Sequence, residues 1–412
     1  MWKHSRALLR PSFARENVNN LDATAQSADA LIRILGEADP KTGWTTGHDM
    51  LPLFFCFTLD TAMEFLFGES VGALSAYGRA NGKTVASPVG SGDEGKEGFY
   101  GGAVAASSEF SDALRVANEG TVSRLRLGNL YWLSDGLEFR KSIRIVKRFV
   151  GGFVEKTLAK VEVEGQAVEG KERYSLLESL TAQTKNREDL VSETLGKSCR
   201  FPSFLKTTHL LDDKADERTA AMLAGRDSTA AMLGWCVLRL ALHPEVFSSL
   251  RKACLRDFSS DGQPSFVELK ACRPLQHFLQ EVLRLHPIVP MNNRLCVKDT
   301  TLPLGGGPDQ RSPIAIGAGQ TVVFSVYAMH RRKDLWGEDV LEFRPSRWEQ
   351  RVPAWQWLPF LGGPRVCIGQ QFALTEVGFM LVRLLKAFDA VEAVNEGELR
   401  KMKKGIGLTM CE

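Results

Sequence analysis

The stretch "FLGGPRVCIG", Phe360 to Gly369, places one cysteine in a short run of glycine, proline and arginine. Immediately after it, "QQFALTEVGFMLVRLLKAF" has the apolar spacing of an amphipathic helix, so Cys367 stands just before a helix N-terminus. Free amide groups and the helix dipole at such a terminus favour a thiolate. Gly362, Gly363 and Gly369 allow tight turns and close approach of backbone to the sulfur. A ligand and a packed thiol in a turn are both compatible with this segment alone.

The rest of the chain constrains the choice. Its 412 residues can bury a large core, and 44% hydrophobic and 25% charged residues are ordinary for a globular protein. A net charge of +3 is too small to imply nucleic acid as a partner. Basic runs such as "HRRK" (330–333) and "KMKK" (401–404) read as solvated faces. The eight cysteines, Cys56, Cys199, Cys236, Cys254, Cys272, Cys296, Cys367 and Cys411, form no CxxC pair and lack the density of a disulfide scaffold. A reducing compartment is expected. No apolar run approaches a membrane span, and the first residues are too polar for a signal peptide.

Most of the sequence predicts helix. Residues 49–68 are apolar nearly all round and read as a buried core helix, while 110–133 and 139–165 are amphipathic. Residues 79–102 are rich in Gly and Ser and read as a long surface loop. Strand-like material is late: "TVVFSVYAM" (321–329), and "LCVKDTTLPLGGG" (295–307) entering a glycine turn. The fold class is mainly α with a small β part.

Four further motifs bear on Cys367. "EVLR" supplies Glu281 and Arg284 at i, i+3, by itself an ordinary surface ion pair. "FRPSRW" (343–348) supplies Arg347, and "LAGRDSTAAM" (223–232) brings small residues, Ala224 and Gly225, ahead of Asp227, Ser228 and Thr229. "WKHSR" supplies Trp2 and Arg6. With Phe360, Gly363, Arg365, Cys367 and Gly369 as Phe-x-x-Gly-x-Arg-x-Cys-x-Gly, the chain resembles the cytochrome P-450 superfamily of haem-thiolate monooxygenases. Within it, the sequence is most similar to the fungal microsomal enzymes that hydroxylate n-alkanes and fatty acids at or near the terminal carbon.

The resemblance implies haem b held by Cys367, in a helical bundle with small sheets. Phe360 and Gly369 shape the ligand loop, and Trp2, Arg6, Arg294 and Arg365 hold the propionates. Ala224 and Gly225 open a groove for dioxygen on the central helix, while Asp227 and Ser228, with Thr229 beside them, relay protons. Glu281, Arg284 and Arg347 form a buried network that fixes the loop. It further implies NADPH-cytochrome P-450 reductase as electron donor, a long-chain apolar substrate, and membrane association at the cytosolic face of the endoplasmic reticulum.

Against the family pattern, residues 1–412 read as one such domain without the anchor and the N-terminal sheet strands, and the chain as written is expected to be soluble or peripheral. Residues 196–219 interrupt a helical pattern, and their ends can be encoded by splice-donor and splice-acceptor consensus sequences, so an insertion or retained intron is expected there. The alternative to an active monooxygenase is a truncated, catalytically impaired remnant of one.

Overall fold

The computed structural model describes residue 6, residues 9–13, 18–19, 21–82, 100–164, 175, 177, 220–259, 262–394, 405–406 and 410–411. Trp2, most of the expected 79–102 loop, the 196–219 segment and the "KMKK" run lie outside the described residues.

In chain order the helices are α1 (Asp22–Leu35), α2 (Met50–Phe67), α3 (Ala73–Ala80), α4 (Tyr100–Leu127), α5 (Leu137–Glu164), α6 (Ala220–Leu242), α7 (Pro244–Asp257), α8 (Phe266–Ala271), α9 (Arg273–Leu285), α10 (Val326–Met329), α11 (Lys333–Trp336) and α12 (Gln370–Ala387). Three antiparallel pairs complete the described architecture. They are β1 (Met291–Leu295) with β4 (Thr321–Ser325), β2 (Thr300–Gly306) with β3 (Ser312–Ile316), and β5 (Gly405–Ile406) with β6 (Met410–Cys411). The mainly helical expectation holds. The 321–329 stretch is a strand only to Ser325, where the serine hydroxyl caps α10 by accepting from the Ala328 amide at 3.1 Å.

Helix α2 starts where the Asp49 carboxylate accepts the Leu51 amide at 3.2 Å and stops at Gly68 in the left-handed region. It is long and apolar enough to cross a membrane, contrary to the expectation that no run would be. In this fold its Leu53, Phe54, Phe57 and Met63 are fully buried against α1, α6 and the other core helices. Apolar residues all round it are explained by neighbours on several sides.

Two polar residues of α2 tie it to other helices. Thr58 Oγ1 donates to the Arg226 carbonyl of α6 at 3.0 Å, as well as to Phe54 in its own helix. Asp60, almost fully buried, accepts the Ala73 and Leu74 amides at 2.8 and 3.0 Å and the Ser70 hydroxyl at 2.9 Å. It thereby caps α3 from a distance in sequence. Burial raises its pKa, and those hydrogen bonds oppose the rise.

Helices α4 and α5 pack as an antiparallel hairpin. Phe110 stacks on Phe149 with centroids 4.0 Å apart, and a Cβ at Gly120 would sit 2.1 Å from the Phe139 ring, so glycine is required for this approach. The turn between them exposes Leu130, Trp132, Leu133 and Leu137.

Helix α12 departs from its sequence pattern. Residues Thr375 to Val382 are all buried, including Glu376, so its middle is enclosed on every side instead of showing one wet face. The "HRRK" run is also not a solvated face as a whole. His330 is fully buried, and Arg331 is half-buried against Tyr327, with its guanidinium 3.5 Å from the ring centroid. Only Arg332 and Lys333 reach solvent, where they pair with Asp334 and Glu338.

Candidate functional site

The site is organised from α9. Glu281 and Arg284 lie one turn apart and are completely buried, contrary to the ordinary surface pair. Arg284 Nε and Nη2 donate to the two Glu281 oxygens, each at 2.8 Å. Its remaining donors reach the carbonyls of His330, Val340 and Glu342 at 3.2, 2.6 and 3.0 Å. The carboxylate also accepts the Arg344 amide and the Trp348 indole N–H, both at 3.0 Å, and faces Arg347 Nε at 3.5 Å. Arg347 in turn grips Asp339 through both of its terminal nitrogens, at 3.1 and 3.0 Å. A buried carboxylate with this many donors is satisfied, and planar bidentate pairing fixes its direction. The expected triad of Glu281, Arg284 and Arg347 is therefore assembled, with Asp339, Arg344 and Trp348 added.

From this network a line of contacts runs to the cysteine. His330 Nδ1 is 3.2 Å from the Arg284 carbonyl, and its Nε2 accepts the Leu358 amide at 2.9 Å. The ring therefore carries its proton on Nδ1, and burial lowers its pKa to about 4. Trp357 donates from its indole to the Gln280 carbonyl of α9 at 3.3 Å. Two residues beyond Leu358, the Phe360 carbonyl accepts the Cys367 amide at 3.0 Å and closes the loop. His330 escaped the sequence reading because its neighbours are charged; the apolar run just before it was the available signal.

The loop is tightly built. Leu361 has φ +63° and Gly363 φ +66°, and a Cβ on Gly362 would lie 2.8 Å from the Trp355 ring. A leucine in the left-handed region is strained by about 1 kcal/mol, which the surrounding contacts hold in place. Arg365 is exposed on the short 3-10 turn Gly363–Arg365, and Gly369 is the N-cap of α12.

Cys367 is open to solvent, yet burial by surrounding protein is the largest influence on its thiol. The residue is reached by solvent on one side while neighbouring protein desolvates the sulfur. Burial pushes its pKa up, while the Gly369 amide, which hydrogen bonds the sulfur, and the charge of Arg6 oppose this. The helix terminus thus acts in the expected direction but does not outweigh desolvation, so a bound cation must supply the rest of the pull toward thiolate. Arg6 Nη1 donates to the Val366 carbonyl at 2.8 Å, next to the cysteine. Arg294, exposed on β1, turns toward its own strand and meets Asn292 Oδ1 and the Asn293 carbonyl at 2.9 and 2.6 Å.

Helix α6 carries the second set. Arg226 and Asp227 are buried, Thr229 is almost completely so, and Ser228 is half-buried. A Cβ on Gly225 would meet only Ala62, at 3.9 Å. The α6 backbone includes Ala224, whose side chain lies outside the described residues. Arg226 Nη1 is 3.6 Å from Asp227 Oδ1, and Asn118 of α4 donates its side-chain N–H to Asp227 Oδ2. Burial raises the Asp227 pKa, and Arg226 and Asn118 hold it down.

With this geometry in place, the comparisons are decisive. A Cytochrome P450 sequence profile matches residues 106–411. The chain belongs to the cytochrome P450 family. It is 40% identical over 405 residues to cytochrome P450 monooxygenase g430 of a Fusarium species, covering 96% of this chain and 63% of that relative. To cytochrome P450 52A1 of Candida tropicalis it is 37% identical over 396 residues, covering 94% of this chain and 64% of that relative. To cytochrome P450 52E1 of Candida apicola it is 35% identical over 418 residues, covering 99% and 71% respectively. The chain thus spans less than two thirds of the length of the first two of these P450 proteins. The relatives are fungal, as the sequence resemblance implied.

P450 membership implies haem, and the residues present fit it. Cys367 offers one accessible sulfur with an amide already directed at it. Haem iron brings most of its ligands with it, so a single protein sulfur such as that of Cys367 is enough to hold it.

Proposed function

We propose that this chain holds haem b through Cys367 and acts as a monooxygenase that hydroxylates a long apolar substrate, an n-alkane or fatty acid, at or near its terminal carbon. The observation that carries the reading is the accessible Cys367 thiol on a loop locked to the buried Glu281–Arg284 pair. Bound haem supplies dioxygen activation, and a thiolate ligand pushes electron density toward the iron.

The chain's own residues do the remaining work. The Gly369 amide and Arg6 favour the thiolate form of Cys367. Arg6, Arg294 and Arg365, with Trp2, would hold the propionates through charge-assisted hydrogen bonds, Arg294 by swinging away from Asn292 and Asn293. Ala224 and Gly225 keep this turn of α6 free of bulky side chains, and Asp227 with Ser228 and Thr229 would move protons along it. Electrons come from NADPH through NADPH-cytochrome P-450 reductase, at the cytosolic face of the endoplasmic reticulum. Similarity to a Fusarium cytochrome P450 monooxygenase supports the reaction class, while the substrate class rests on the sequence resemblance. Residues 196–219 are assigned as an insertion or retained intron on the sequence pattern alone; transcripts that retain the segment in every clone would reject a retained intron.

The test is the spectrum of the purified protein, reduced and treated with carbon monoxide. A red-shifted Soret band is expected, and Cys367→Ala should abolish it. A band at the position of imidazole-ligated haem, or none, rejects the reading and leaves the impaired remnant. With the band present, reductase, NADPH and a long-chain fatty acid or alkane should yield the terminal or near-terminal alcohol, and Asp227→Asn should slow turnover by about 100-fold, the low end for a lost proton-transfer group.

A further inference from the structure

Helix α4 buries Phe110, Ala113, Leu114 and Ala117, a stripe at helical spacing. Asn118 stands at the edge of this stripe and reaches across to α6, where its amide nitrogen donates to Asp227 Oδ2. The other candidate partner of that carboxylate, Arg226 Nη1, is 3.6 Å away, beyond hydrogen-bond distance. Asp227 Oδ1, Asn118 Oδ1 and Arg226 Nε are all buried without a hydrogen-bond partner among the described residues. Asn118 is therefore the direct link between this carboxylate and the α4–α5 hairpin.

We propose that Asn118 is the positioning residue for Asp227, holding its carboxyl group in place across the α4–α6 contact in both of its protonation states. The proposal rests on the proton-handling role assigned above to Asp227. An asparagine is suited to a partner that gains and loses a proton. Its NH2 donates to the carboxylate, and after rotation of the amide its carbonyl, now unbonded, accepts from the acid. Leucine of similar shape can do neither, and an ionised aspartate can only accept while adding a like charge.

The charged surroundings set the direction of the effect. Arg226 faces Asp227 on its own helix. Asp112 and Arg115 of α4 and Cys56 of α2 act on Arg226. Against burial, Arg226 and the Asn118 hydrogen bond are what keep Asp227 toward its ionised form. Removing the Asn118 donor must shift the Asp227 midpoint to higher pH, and Asn118→Asp must shift it further.

The experiment is an infrared titration of the Asp227 carboxyl band in the haem-loaded protein labelled with 13C-aspartate. The band is assigned by its loss in Asp227→Asn. The expected result is an upward shift of its midpoint in Asn118→Leu and a larger one in Asn118→Asp, with the Soret band and circular dichroism unchanged. A midpoint that stays in place in either folded variant overturns the proposal. Should the leucine variant not fold, the isosteric aspartate variant reads the same quantity; loss of both folds would make Asn118 a core-packing residue and also overturn it. A second readout separates the two readings. If Asp227→Asn leaves the ratio of hydrogen peroxide to product unchanged, the relay role of Asp227 fails, while the titration still decides what Asn118 does.

Discussion

Glu376→Gln is expected to stabilise the protein, and to do so only at neutral and alkaline pH. Glu376 sits in the middle of α12, fully enclosed, with Oε1 in hydrogen-bond contact with Thr61 Oγ1 of α2 and Oε2 without a partner. Thr61 has one hydroxyl proton, and the Phe57 carbonyl lies 3.1 Å away to receive it. A protonated Glu376 can then donate to the hydroxyl oxygen, which satisfies both groups without a buried charge. Burial raises its pKa from 4.5 to about 8, and the Thr61 contact only partly opposes this.

A folded-state pKa above the unfolded one means that the native state holds a proton the unfolded chain has released. The associated stability is complete below pH 4.5 and is lost as pH rises through about 8. At about 1.4 kcal/mol per pH step, roughly 3 kcal/mol has gone by pH 7. Glutamine never ionises and keeps an acceptor for Thr61, but its amide hydrogens lack partners, at about 1 kcal/mol. The net gain is about 2 kcal/mol at pH 7, a sizeable part of a typical domain stability of about 5–15 kcal/mol. The assay is the urea midpoint of wild type and variant between about pH 5 and about pH 9, with slopes compared for two-state behaviour. Wild type should lose stability with rising pH and the variant should not. Parallel curves for the two would refute the reasoning, because they would mean that Glu376 ionises alike in the folded and unfolded chains.

Two other perturbations probe the same frame. Glu281→Ala strands the fully buried Arg284 guanidinium and is expected to cost about 3–5 kcal/mol, whereas Glu281→Met with Arg284→Leu should cost clearly less than the single change; urea unfolding of the three variants checks this, and a cost below about 1 kcal/mol for Glu281→Ala contradicts it. His330, held neutral with a folded pKa of about 4 against 6.5, must lose stability as pH falls from 6.5 to 4, by roughly 3 kcal/mol. His330→Gln should flatten that acid limb, and thermal midpoints that keep the wild-type slope would assign the limb to other groups.

Much of the candidate site was legible in the order of residues. Cys367, Glu281, Arg284 and Arg347 were singled out because a ligand loop and its buried ion network need particular residue types at short spacings, and the structure assembles the ion network. Asp227 and Ser228 were singled out by the family resemblance of one helix turn, and the structure adds that Asp227 is buried. Other parts were not legible because their meaning lies between segments far apart in the chain. His330 looked like part of a solvated basic run, yet it joins the Arg284 carbonyl to the Leu358 amide. Asn118 has no motif around it and matters only because α4 crosses α6 next to Asp227. Glu376 looked like the polar edge of an amphipathic helix until packing enclosed α12 on all sides.

The sequence by itself determined the candidate ligand, the helical class and the family, because these depend on local chemistry: a thiol before a helix, apolar residues at helical spacing, a carboxylate one turn from a guanidinium. The tertiary structure alone decided which charged groups are taken out of water. Desolvation depends on what surrounds a side chain from every direction, and it is this that leaves His330 and Glu376 neutral and pushes the Cys367 thiol up against the pull of its helix.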